Sequence, residues 1–382
     1  MESMYMHIPA EIFSGRGSYE QIGDCARKYG TRVLLISEPV MQDQGICAKI
    51  QSELEDKGLS CLRYDDIGPE ASHAGLQEAV RLARAGKAQM IVSVGGMRVL
   101  MAGRIAALTA GSNRSIRDLL ADEQPAERAL PCLEIPTSYR NPLQFADRVL
   151  VPEETTRVPH MLPMPAGFLR CVIVDPSLTT GLSGKYSAAL LMDSILGGIE
   201  GYMSHTTGYI GRPLLRDGLQ LVSESVLSVY NAPAELRPRI KACEGGLLTG
   251  LGLGFGRQGI GGALVYVLGS MYDVPKSWVA TVLAPHVAEH WVPIVPQSLA
   301  EIAGAMGADT ANLSATEAAR QVPQILRRMI GQTDLPGRLR ELDISMEHAK
   351  EAAELVMEFD MIRSCPRFPS LNDVLNLVKR AF

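Results

Sequence analysis

The chain has 382 residues, 46% hydrophobic and 21% charged, which is ordinary globular composition and enough length for two domains. A formal net charge of −5 without any Lys/Arg-rich run excludes a nucleic-acid-binding surface. Apolar runs such as residues 171–174 are far too short to span a bilayer.

Residues 1–10 lack the basic flank and apolar core of a signal peptide, so a cytoplasmic protein is expected. In chain order, residues 32–37 (RVLLIS) predict a first strand. Residues 46–57 predict a helix, with Ile46, Ile50 and Leu54 on one face and Gly58 as its terminator. A second strand falls at 60–64 and a second helix at 76–85. A third strand at 90–94 runs straight into Gly95-Gly96. Strand–helix alternation of this kind implies a parallel sheet, whose ligands sit beyond the carboxyl ends of the strands. Residues 153–167, rich in Pro and Met, predict a surface loop.

From Tyr186 onward the pattern turns helical, with helices expected at 186–202, 212–230, 238–251, 315–330, 346–357 and 370–380. The expected fold is an α/β N-terminal domain with a Rossmann-like parallel sheet, residues 1–180, followed by an all-α domain, residues 181–382. Seven cysteines stand singly with no CxxC pair, which reads as buried thiols in a reducing compartment.

Several segments in order resemble the iron-containing alcohol dehydrogenases, whose fold is related to dehydroquinate synthase. Residues 12–17 (IFSGRG) resemble the opening strand and turn. Val94-Gly95-Gly96-Met97-Arg98 sits at the family's GGGS turn, and Ile135-Pro136-Thr137-Ser138 at its PTT segment. Val174-Asp175-Pro176, Met192-Asp193 with Ile199-Glu200-Gly201-Tyr202, Leu268-Gly269 and Cys365-Pro366-Arg367 match later landmarks.

The resemblance implies a metal held by one Asp and three His. Asp193 stands at the first ligand position. Gly197, Gly262 and Lys276 stand at the other three, and Tyr266 aligns with a neighbouring catalytic-site His. One carboxylate cannot hold a catalytic divalent ion, so no iron or zinc is expected. Asp193, Tyr266 and Lys276 become the catalytic candidates: Lys276 pairs with Asp193 in the metal's place, and Tyr266, its pKa lowered by a nearby cation, donates a proton. A structural leftover hydrogen-bonded in its helix is the plain alternative for Asp193.

The resemblance also implies a nicotinamide nucleotide on the GGGS backbone. Glu38, Gly95, Gly96, Thr137 and Ser138 are the cofactor-binding candidates, with Glu38 favouring NAD over NADP. Met97, Arg98 and the run Arg140-Asn141-Pro142-Leu143 replace the family's small residues, so NAD binding is expected to be weak or lost. Arg98, Arg104 and Arg140 are candidates for an anionic ligand, or else surface charges. Three functions remain: a metal-independent oxidoreductase of the alcohol dehydrogenase type, a repurposed non-redox biosynthetic enzyme, and an inactive homologue with a binding role. A small-molecule substrate and a homodimer are expected on the same resemblance.

Overall fold

In the computed structural model, six strands form one parallel sheet. Its strands are β1 (Glu11–Ser14), β2 (Arg32–Ile36), β3 (Ser60–Tyr64), β4 (Met90–Gly95), β5 (Cys132–Pro136) and β8 (Leu169–Val174), in the order β1-β8-β5-β4-β2-β3. Residues 11–68, 72–112, 114–121, 126–140 and 142–382 are described; the N-terminal segment read against a signal peptide and Asn141 lie outside them. Two units make up the chain, one of residues 11–138 and 146–181, the other of residues 139–145 and 182–382.

The α/β unit follows the strand–helix alternation. Every residue of β4 is buried, as a central parallel strand covered on both faces requires. The helix Ile46–Glu55 ends with Gly58 at φ +80°, whose N–H reaches the Glu55 carbonyl at 2.8 Å. The chain leaves β2 toward β3, then returns to place β4 on the other side of β2. This reversal puts a topological switch point at the carboxyl ends of β2 and β4, beside Glu38 and Gly96.

One expected loop is corrected. Within 153–167 lies β7 (Pro159–Pro163), antiparallel to β6 (Arg148–Pro152). A proline at each end of β7 hides its strand character, and such prolines are tolerated in a two-stranded ribbon because each strand has an open edge.

In the helical unit, Gly184–Met203, Gly211–Asn231 and Leu236–Phe255 occupy the positions expected from periodicity. They pack closely through glycine: a Cβ on Gly198 would meet Leu219 Cδ2 at 2.8 Å, and one on Gly252 would meet Leu215 Cγ at 2.5 Å. The expected single helix at 315–330 breaks at Arg320 into Ala315–Ala319 and Gln321–Gln332. Among the described residues, no helix is long and apolar enough to cross a membrane.

Candidate functional site

At the switch point the structure brings Glu38, Gly95, Gly96 and Arg98 together. Glu38 Oε1 accepts the Gly96 N–H at 3.3 Å, and Oε2 accepts from Arg98 at 2.5 Å. Arg98 also donates to the Gly68 carbonyl at 3.2 Å. Thr137 N–H donates to the Gly95 carbonyl at 3.1 Å, which sets Thr137 and Ser138 at the same edge of the sheet. Gly95 must be glycine, since a Cβ would stand 2.7 Å from Val99 Cγ2. Gly96 has open space, its nearest neighbour being Glu38 Oε1 at 4.0 Å from a built Cβ. The cradle therefore keeps the room and the N–H that a pyrophosphate needs. A phosphate entering it has to displace the Glu38 carboxylate and its Arg98 partner.

Arg104 lies elsewhere. It is buried in the helix Met97–Ser112 and donates to both oxygens of Glu134 on β5, at 2.7 and 3.1 Å. It also donates to the carbonyls of Ala146 (3.1 Å) and Arg148 (2.9 Å), and stands 5.0 Å from the Phe168 ring centroid. A guanidinium so engaged inside the fold is structural, which corrects its candidacy for an external anion.

Arg140 is the larger correction, because its segment packs in the helical unit. The Tyr139 carbonyl accepts from Ser194 Oγ at 2.7 Å, and the Tyr139 hydroxyl accepts from buried Arg239 at 2.5 Å. Arg239 is itself fixed by the carbonyls of Leu182 (2.7 Å) and Pro233 (2.6 Å). Pinned in this way, Arg140 reaches Asp193 on the helix Gly184–Met203, and its Nε donates to Asp193 Oδ2. Both residues are buried. Asp193 Oδ1 is buried too and has no hydrogen-bond partner among the described residues.

Asp193 thus takes Arg140 as its partner where Lys276 was expected. Lys276 acts on Asp193 only as a through-space charge. Its stem lies against Gly269 instead.

Gln258, which the sequence reading passed over, completes the arrangement. Tyr266 donates its hydroxyl hydrogen to Gln258 Oε1 at 2.7 Å. The Gln258 Nε2 is buried without a partner among the described residues. A Cβ on Gly197 would stand 3.4 Å from Nε2, and a Cβ on Gly262 would stand 2.6 Å from Gln258 Cβ. The glutamine fills the room that side chains at both glycines would need. Its sequence signal is weak: one amide among glycines, just before an apolar helix.

Electrostatics follow from burial. Burial pushes the Asp193 carboxyl up, while Arg140 opposes it by charge and hydrogen bond. Burial also raises Tyr266 and outweighs the Arg140 guanidinium 5.9 Å from its ring, which corrects the expected lowering. Tyr266 is therefore protonated at neutral pH. Glu200 accepts the N–H groups of Gly261 (2.6 Å) and Gly262 (2.8 Å), yet burial still pushes it up to about 7.

This donor set does not fit iron or zinc. One oxygen of Asp193 belongs to a guanidinium, the neighbouring amide presents hydrogens, and Lys276 adds a second positive charge. A divalent cation needs about three lone-pair donors and is repelled by such cations.

The chain thus joins an α/β unit with a topological switch point, occupied by the Glu38–Arg98 pair, to a helical unit carrying a buried polar site. Residues 9–176 match the family described as iron-containing alcohol dehydrogenase, and residues 187–382 match its C-terminal region. The chain belongs to the iron-containing alcohol dehydrogenase family. It is 26% identical to alcohol dehydrogenase 4 of Saccharomyces cerevisiae over 380 residues, covering 98% of each chain. The crystal structure of a 1,3-propanediol oxidoreductase superposes with a TM-score of 0.94 at 21% identity, covering 100% of both chains. A sulfoacetaldehyde reductase from Bifidobacterium kashiwanohense, solved in complex with NAD+, gives 0.87 at 17% identity, covering 100% of this chain and 99% of that one.

Proposed function

We propose that this protein is an alcohol dehydrogenase-like oxidoreductase that acts on a small hydroxyl- or carbonyl-bearing substrate without iron or zinc in its active site. The observation that carries the reading is a buried acceptor, Asp193 Oδ1, left without a partner among the described residues in the surroundings of Tyr266, whose hydroxyl bonds Gln258, itself carrying a buried and unpaired Nε2. An alcohol hydroxyl bound here would accept from Gln258 Nε2 and pass its proton to Asp193 Oδ1. A carbonyl oxygen uses the same amide donor. Arg140 and Lys276 both favour negative charge at Asp193, and the same charges act on negative charge developing on a substrate oxygen held there. Tyr266, protonated, donates to the amide oxygen and ties Gln258 in place.

A nicotinamide nucleotide at the β2–β4 edge would exchange the hydride. Glu38 and Gly96 would hold it, at an affinity lowered by the Glu38–Arg98 pair. Family membership and the intact switch point support redox chemistry over the non-redox and inactive readings. The reading also takes the protein as a homodimer, on the family alone, and light scattering at micromolar concentration checks it.

The deciding experiment follows NADH- and NADPH-linked turnover of short aldehydes and ketones by the full chain, before and after chelator treatment. Turnover should persist and should not rise on adding Fe²⁺ or Zn²⁺. Activity lost to the chelator and restored by about one metal per chain, at a position abolished by Asp193→Asn, would overturn the metal-free reading. Absence of nucleotide binding by calorimetry, with no turnover, would favour the non-redox function.

A further inference from the structure

Glu11, Cys25 and Cys171 belong to neither site above. β1 and β8 run parallel with Glu11 opposite Cys171, and the helix Ile22–Ala26 brings Cys25 against them. The two Sγ atoms and a Glu11 carboxylate oxygen all lie within 4.8 Å of one another. Among the described residues, this is the one group of three His, Cys, Asp or Glu side chains that converges in this way. Both thiols are buried, whereas the Glu11 side chain is 31% exposed and its partner Lys28 49% exposed. Glu11 Oε1 accepts from Lys28 Nζ at 2.5 Å, while Oε2 is buried with no N–H or O–H donor among the described residues.

We propose that Glu11, Cys25 and Cys171 form a binding site for a thiophilic divalent cation of the zinc class, separate from the family's metal position. A tetrahedral zinc site, with Zn–S about 2.3 Å and Zn–O about 2.0–2.2 Å, places its ligand atoms roughly 3.5–3.8 Å apart. A group already within 4.8 Å closes to that spacing by side-chain rotation. The charges also balance. Two thiolates and a carboxylate carry three negative charges, a divalent ion removes two, and Lys28 offsets the third. Glu11 and Lys28, half-open to solvent, form the entry edge. By contrast, the buried Cys47 donates to Ser37 Oγ at 3.0 Å and stands outside any such group among the described residues.

The test uses the full chain, chelator-washed and kept reduced, titrated with Cd²⁺ as a spectroscopic stand-in and then with competing Zn²⁺. A thiolate-to-metal charge-transfer band should saturate at about one equivalent and be displaced by Zn²⁺. Cys25→Ser should abolish most of the band, and Glu11→Gln should weaken affinity about 10-fold. Cys47→Ser should change neither. Cys171 lies in the sheet and its variant can fail to fold, so the inference stands on the other two. It is overturned if the wild-type chain gives no band, if Cys25→Ser leaves the band unchanged, or if peptide mapping of fresh protein finds Cys25 and Cys171 joined as a disulfide. Zinc bound here is lost in Cys25→Ser and indifferent to Asp193→Asn, which separates it from any metal at the family position.

Discussion

Arg104 with Glu134 in the α/β unit and Arg140 with Asp193 in the helical unit are made of nearly the same chemistry, and they differ in how completely they are satisfied. Glu134 engages Arg104 through both oxygens, and two backbone carbonyls take further guanidinium hydrogens. Asp193 engages Arg140 through one oxygen, and its other oxygen is buried without a partner among the described residues. A saturated buried pair specifies a fold. A pair that keeps one acceptor open, at the cost that buried polar groups carry, is poised for a ligand.

The comparison breaks first at Glu134. Glu134→Ala strands the Arg104 guanidinium in the interior and should destabilise the protein by about 3–5 kcal/mol in urea unfolding. A loss under about 1 kcal/mol, the range of an exposed ion pair, would erase the contrast.

Glu200 sharpens it, as a buried carboxylate met by backbone N–H groups instead of a cation. Its folded pKa is raised to about 7 from the usual 4.5, so the folded state holds the proton more tightly than the unfolded state. That contribution to stability is fully present below about pH 4.5 and declines as pH climbs to about 7, by on the order of 3 kcal/mol. Urea midpoints measured across this window should fall with pH, and Glu200→Gln should flatten the slope.

Asp193→Asn should act on catalysis more than on stability. It turns the open acceptor Oδ1 into an acceptor–donor ambiguity and removes the charge, so kcat/KM should drop about 100-fold, or about 2.7 kcal/mol. Its unfolding midpoint should move less than that of Glu134→Ala. The smallest effect is expected at Gln258→Leu, which keeps the bulk but loses the donor. A roughly 10-fold drop in kcat/KM, with stability nearly unchanged, fits one neutral hydrogen bond to the substrate. An unchanged kcat/KM would take Gln258 out of the site.

The sheet was legible because buried parallel strands read as continuous apolar runs, as at 32–37 and 90–94. The strand Pro159–Pro163 was not, because its prolines imitate a loop. Asp193 was legible through its motif. Its true partner was not, since Arg140 lies 53 positions away and its pose depends on Arg239 and Ser194 holding Tyr139. Arg104 did carry a signal: a charge in the middle of the largely apolar helix Met97–Ser112, well past Arg98 in its first turn, implies a buried partner.

The placement of Gln258 against Gly197 and Gly262 also bears on descent. A histidine restored at 262 alone would collide with the glutamine, whose Cβ stands 2.6 Å from where the new Cβ must go. One at 197 would press on Leu253 Cδ1 and the Gln258 amide, 3.3 and 3.4 Å from the new Cβ. A side chain at 262 is therefore tolerated only if Gln258 shifts with it, so the two positions can change only together.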